Sequence, residues 1–231
     1  MDKEKDNFAP SCVDCGKRAC RVHSGEFPPF CEGALTEAEI DELARLYAEP
    51  QNRTVAIASA EIEGEFYGQY TRVEETIEFA HRIGAVKLGI ATCMGLIEES
   101  RILAKILRLN GFEVYSAACK TGSMLKTDIG VDEEYTRLTG NVMCNPILQA
   151  KLLAKQHVDL NIVVGLCCGH DSLFYKYAEG LTTTLIVKDR VLGHNPVQAL
   201  YQSRAYYKRL LAGPIGRAED RQYHRQKTDS I

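Results

Sequence analysis

Residues 85–119 read AVKLGIATCMGLIEESRILAKILRLNGFEVYSAAC, and the fold class follows from this stretch. Val86 to Thr92 is a short, β-rich apolar run of the kind a strand buried on both faces requires, and Cys93 follows it at once. Ile97 to Leu109 then repeats apolar residues at helical spacing and stops at Asn110-Gly111, a pair suited to a helix C-terminus. Phe112 to Ala118 is a second apolar run, and it too ends on a cysteine, Cys119. Strand, amphipathic helix and strand in this order make a crossover unit, which pairs its strands in parallel.

The same alternation continues towards the C-terminus. Asn145-Pro146 supplies a cap and a first-turn proline for a helix to about His157, and Leu160 to Leu166 reads as a third strand followed by Cys167 and Cys168. Asp171 to Ala178 is a short helix and Thr182 to Val187 a fourth strand; Asn195-Pro196 is expected to open a last long helix. Towards the N-terminus, Thr36 with Glu39 and Thr71 with Glu74 form capping boxes, residues 54–66 lean to helix over strand, and Gly84 suits a C-terminal cap. The expected architecture is α/β: an open, mostly parallel sheet with helices on both faces over residues 36–212, a small Cys-rich metal-binding module at 1–35, and a peripheral tail at 213–231.

Composition narrows the function. A chain of 231 residues with 45% hydrophobic residues can bury a core without disulfides. Its 28 basic against 31 acidic residues give a net charge of -3, which argues against broad nucleic-acid affinity. The opening MDKEKDNFAP lacks the apolar core of a signal peptide, and the longest apolar run, Ile162 to Cys168, is too short to span a bilayer, so a cytoplasmic protein without membrane association is expected. In a reducing compartment nine cysteines favour metal ligation or thiol chemistry over disulfides. The sequence carries no GxGxxG after the first strand, no GxxxxGK[ST], no GxSxG and no HExxH, which removes support for ordinary dehydrogenase, kinase and hydrolase readings.

The cysteines follow the strands. Cys93, Cys119 and the pair Cys167-Cys168 come after the first three strands, and the C-terminal strand ends of an open parallel sheet share one edge, where such folds bind ligands. Cys144, ahead of its helix, can supply a fourth sulfur. Buried packing would account for one or two of these thiols but not for their clustering. Soft thiolates in this number select iron–sulfur clusters, zinc or Cu(I), so Cys93, Cys119, Cys144 and Cys167 are the expected ligands of an inner centre, foremost a [4Fe–4S] cluster. Cys144 is either the fourth ligand or a nucleophile, and His170 is the acid/base candidate, although Asp171 beside it suits a simple helix cap. Lys120, Lys188, Arg190 and His194 give the same edge a positive bias that would suit a small anionic substrate. A local echo links Cys144-Asn145-Pro146 with His194-Asn195-Pro196, each setting a reactive side chain just outside a helix start.

Residues 8–35 hold Cys12, Cys15, Cys20 and Cys31 with no helical or strand period, and His23 as a spare ligand. A CxxC turn lets both sulfurs face one ion, so this module is expected to bind zinc or an iron–sulfur cluster; the spacing matches neither a zinc ribbon nor a plant-type ferredoxin.

The CxxCxxxxC of residues 12–20, GIATC (89–93), CNPILQA (144–150), VVGLCCGHDSLFYKY (163–177) and IVKDRVLGHNPVQALY (186–201) together resemble an uncharacterised prokaryotic family, found largely in anaerobes and often labelled metal-binding. The resemblance spans residue 12 to about 208 and implies that Cys12, Cys15, Cys20, Cys31, Cys93, Cys119, Cys144 and Cys167 belong to the family pattern; it implies no reaction. Three functions stay open at this level. One is a redox or small-molecule-transforming metalloenzyme. Another is a metal or cluster carrier, or an electron-transfer protein with a protein partner. The third is a thiol-redox protein using Cys167 and Cys168 or the crevice thiols, with a structural zinc only in the N-terminal module.

Overall fold

The computed structural model describes residues 9–22, 25–213 and 215, so the expected ligand His23 and nearly all of the expected tail lie outside the described residues. The chain divides into two compact units, Met1–Glu61 and Ile62–Ile231.

The first unit carries two short 3-10 turns, Cys12–Asp14 and Ala19–Arg21, then helix α1 (Glu37–Ala48) and most of α2 (Pro50–Phe66). The Thr36–Glu39 capping box forms as read, with the Thr36 hydroxyl accepting the Glu39 N–H and the Glu39 carboxylate accepting the Thr36 N–H.

The second unit is the α/β body. Helix α3 (Arg72–Arg82) starts on the Thr71–Glu74 capping box and ends in a Schellman turn, in which Ala85 N–H reaches Ala80 O and Gly84 N–H reaches His81 O. Strand β1 (Lys87–Thr92), α4 (Ile97–Leu109), β2 (Glu113–Ala118), α5 (Pro146–Lys155), β3 (Leu160–Val164), α6 (His170–Tyr177) and β4 (Leu181–Ile186) follow. All four strands are parallel, in the order β2-β1-β3-β4.

The period-2 alternation of the strands builds two cores. Leu88, Ile90, Leu160, Ile162 and Val164 face α3 and α4, packing with Ala80, Leu103 and Leu107. Ala91, Ala117 and Val163 face the other way, with Ala150 and Leu153 of α5 and Phe174 of α6. The sheet is thus covered on both faces, as near-continuous apolar strands demand. Helix α5 comes so close to β1 that a Cβ on Gly89 would stand 3.0 Å from Val158 and 3.1 Å from Leu153.

Several boundaries depart from the sequence reading by a few residues, and two of the departures have a clear physical cause. Strand β3 ends at Val164 and not at Leu166, because a register irregularity between Val163 and Val164 and the positive φ of Gly165 (65°) turn the chain away. The last long helix is in fact one short turn, α7 (Val197–Tyr201), followed by a 3-10 segment at Lys208–Leu211. Leu200 and Tyr201 are exposed, so no buried face is available to extend the helix, and packing supplies most helical stability. No helix among the described residues is long and apolar enough to cross a membrane.

Candidate functional site

Strand order fixes the location. The chain leaves β1 to one side for β2 and returns on the other side as β3, so β1 and β3 flank the point where the topology reverses and where open α/β sheets bind ligands. Cys93 follows β1, and its N–H donates to Val164 O at the end of β3. Cys119 follows β2, and its N–H donates to Thr92 O. Cys144 arrives from the long segment before α5 because Asn145 N–H donates to Cys119 O at 2.7 Å, pulling the helix start onto the end of β2. Asn145 also caps α5, its side chain accepting the Leu148 N–H.

Cys119 is the middle sulfur. Its Sγ lies 3.7 Å from Cys144 Sγ and accepts the Met94 N–H at 3.3 Å, and Cys93 neighbours it on the other side. The Cys119 side chain is the foremost influence lowering both neighbours, Cys144 to about 4 and Cys93 to about 5. Cys144 is further favoured as a thiolate by His170 and the charge of Lys120; Cys93 by the Gly95 N–H and Lys188. Cys119, between Cys144 and Cys93 and buried, is pushed up and keeps its proton. The contact between the sulfurs thus favours the charged form at Cys93 and Cys144 and the protonated form at Cys119.

Each end has a nitrogen-bearing side chain beside it. Lys188 reaches over the backbone at Gly95, where a Cβ would lie 3.3 Å from its Nζ and 3.9 Å from Cys93 Sγ. His170, at the start of α6, is raised chiefly by Cys144, and its Nδ1 is buried without a hydrogen-bond partner. Cys167 is the outer sulfur and accepts a hydrogen bond from the Arg190 guanidinium at 2.9 Å; its carbonyl accepts the His170 and Asp171 N–H groups at the start of α6. Asp171 accepts the Gly169 and Ser172 N–H groups from the second position of α6; Gly169 and not Asp171 is the N-cap, because the helix starts one residue earlier than the sequence suggested.

The structure thus gathers Cys93, Cys119, Cys144, Cys167 and His170 at one end of the sheet. Cys168 is exposed. In the first unit Cys12 and Cys20 are exposed and Cys15 and Cys31 partly so. Among the described residues, no three or more Cys, His, Asp or Glu side chains stand as a ready cage for a metal ion. The Asn-Pro echo is not repeated in structure: Asn195 makes no side-chain cap, and His194 Nδ1 instead accepts the Asp189 N–H and closes the turn that presents Arg190.

Sequence reasoning passed over one buried participant. Gln149 of α5 is fully buried and donates to Thr92 O and Ala117 O just beneath Cys93 and Cys119. A polar residue on the buried stripe Pro146, Gln149, Ala150 and Leu153 was the available signal.

No solved structure matches the chain. An uncharacterised protein of Methanocaldococcus jannaschii, MJ0455, is 44% identical over 202 residues, covering 87% of this chain and 98% of that protein. The model of a family described as a protein of unknown function (DUF1847) matches residues 31–185, a span that runs from Cys31 through Cys93, Cys119, Cys144 and Cys167 to β4. The chain belongs to that DUF1847 family.

Proposed function

We propose that the sulfurs at the C-terminal end of the sheet form a soft-metal centre used for redox or small-molecule chemistry. The observation that carries this reading is the contact of Cys119 with Cys144 at 3.7 Å, with Cys93 beside Cys119, although the three arrive from separate segments. Thiolates bound at about 2.3 Å to one tetrahedral ion lie about 3.8 Å apart, so this spacing suits a single soft ion. A four-iron cluster is wider and would draw the same residues outward as it bound. N–H donors on sulfur, such as Met94 on Cys119, are the means by which a protein tunes such centres. Cys93, Cys119 and Cys144 would hold the group, Cys167 would close the shell, and the orphaned Nδ1 of His170 would hold or pass a proton beside it. Lys120, Lys188 and Arg190 would favour a small anionic substrate. Cys12, Cys15, Cys20 and Cys31 would bind a second ion or cluster in their own unit.

A second reading is favoured by one contact, that of Cys144 with His170 next to the start of α5: Cys144 as a thiolate nucleophile or redox thiol, with no inner metal. Anaerobic purification with metal and sulfide analysis, visible absorption and Mössbauer spectra separates the readings. Iron with sulfide identifies a cluster; zinc, copper or iron without sulfide, lost on Cys119→Ser, identifies a single ion. A sheet-edge site that takes up no metal after anaerobic reconstitution overturns the metal reading and leaves the thiol one.

A further inference from the structure

We propose that Gln149 is a positioning residue that sets the spacing of Cys93, Cys119 and Cys144. The proposal builds on the reading of these sulfurs as one centre, and it begins from an anomaly. Gln149 has 0% exposure and lies in the apolar stripe of α5, where an amide is costly unless its polar atoms are satisfied. Its Nε2 donates to Thr92 O at 3.0 Å and to Ala117 O at 2.7 Å. Thr92 is the residue before Cys93, and Ala117 stands two before Cys119.

The bonds are not repairs to the sheet at Thr92, because Thr92 O already accepts the Cys119 N–H at 2.9 Å. They add a second tie across the ends of β1 and β2. The same helix is fastened to the third sulfur: Gln149 N–H donates to Asn145 O, and Asn145 N–H donates to Cys119 O, with Cys144 as the preceding residue. One side chain and its own helix therefore link all three cysteine-bearing segments. Both partners of Nε2 are carbonyls, so a hydrogen-bond donor must face them, and an ionised carboxylate of equal length would be repelled. The other end, Oε1, is buried with no hydrogen-bond partner, so the nitrogen alone anchors the amide. Asn161, the other fully buried amide among the described residues, differs in place. It bonds Glu179 O and Leu181 O at the opposite end of the sheet, where it holds the α6–β4 turn and no sulfur.

The test compares Gln149→Met, similar in length but without the amide, with Leu153→Ala, which damages the same buried stripe of α5 away from the sulfurs. Full-length protein is titrated anaerobically with Co(II), whose thiolate charge-transfer absorption reports sulfur geometry. Metal-free protein is treated with diamide, which takes up the two electrons released when the Cys144 thiolate and the Cys119 thiol join, together with the Cys119 proton and one proton from water, and the disulfide is located by peptide mass mapping. Gln149→Met is expected to weaken Co(II) binding by about ten- to a hundredfold, to shift the absorption, and to slow disulfide formation several-fold. Leu153→Ala is expected to lower the unfolding temperature while leaving the absorption and the disulfide rate unchanged. A Gln149→Met protein with native absorption, affinity and rate overturns the proposal, as does a Leu153→Ala protein that reproduces its defects. Should Gln149→Met not fold, Gln149→Asn, which retracts the amide by one methylene, carries the same expectations. If the unaltered protein takes up no Co(II), the metal reading fails, and the disulfide rates still decide the role of Gln149.

Discussion

Cys12, Cys15, Cys20 and Cys31 lie on short turns with little burial, whereas Cys93, Cys119, Cys144 and Cys167 stand where strands end and helices begin. Each set has four thiols, the first close together along the chain and the second brought to one end of the sheet by the fold. At the sheet, backbone ladders deliver the sulfurs: Cys93 and Cys119 are bonded to neighbouring strand ends, and Asn145 ties Cys144 to Cys119. N–H groups and cations then favour thiolates there. Among the described residues the N-terminal thiols lie on or beside short turns, including two 3-10 turns and a Ser11–Asp14 capping box, and an ion would have to organise the module further. The sheet-end sulfurs are positioned by the fold; under the proposed metal reading, the N-terminal module would depend on its ion.

The largest test of this contrast removes one sulfur from each set. Cys119→Ser takes away the middle member and is expected to lower metal affinity at the sheet end by roughly two orders of magnitude or more, while the body still folds. Cys15→Ser is expected to spare that site and to unravel its own module, read as a proteolytic cut within residues 9–35 of the metal-treated protein. Loss of both metal signals in either variant would break the separation.

A second test uses the charge on the thiols. With Cys144 lowered to about 4 and Cys93 to about 5, both are thiolates throughout pH 6–8 in the metal-free protein. Their alkylation by iodoacetamide is then expected to be nearly flat across that window and to fall only as the pH drops through 5 and 4. A free cysteine peptide with a pKa of about 8.5 quickens nearly tenfold per unit over most of the same range. Cys119, pushed in the opposite direction, is expected to resist the reagent. Mass mapping at three pH values checks all three; a Cys144 rate that climbs like the peptide's would sink the account of the site's charge.

How much of this was legible in the sequence depends on whether local pattern or tertiary closure decides the feature. The four strands and the sulfurs behind them were readable because apolar β-rich runs and turn residues are local signals. The capping boxes at Thr36 and Thr71 were readable for the same reason. Strand order was not, since nothing in the stretch from Leu160 to Val164 says that it pairs with β1 and not with β2. The central place of Cys119 was also hidden, because it depends on a hydrogen bond from Asn145, 26 positions further along. The long helix expected after Pro196 fails because helical spacing without a partner surface does not stabilise a helix.

The third test strains the prearranged site itself. Gly165 has φ 65° at the end of β3, and a Cβ there would overlap Leu96 Cδ1, a buried side chain three residues after Cys93. Gly165→Ala combines left-handed backbone strain with overpacking and is expected to cost about 2–3 kcal/mol, measured by urea unfolding. A loss below about 0.5 kcal/mol would show that the strand end yields easily and that its sulfurs are less fixed than the contrast requires.

The smallest effect is expected at the rim. Arg190 donates to Cys167 from an exposed position, and the sulfur in turn raises the guanidinium pKa. Solvent screens such a pair far more than the sulfurs between β1 and α5, so Arg190→Gln should weaken metal binding by less than about tenfold. The deficit should also shrink as salt is raised, because an exposed charge acts over a distance set by the ionic strength. Metal titrations of both proteins at low and high salt check this. A large loss that ignores salt would move Arg190 and Cys167 from the rim into the prearranged core of the site, and the line between sulfurs fixed by the fold and sulfurs merely near it would have to be redrawn to include them.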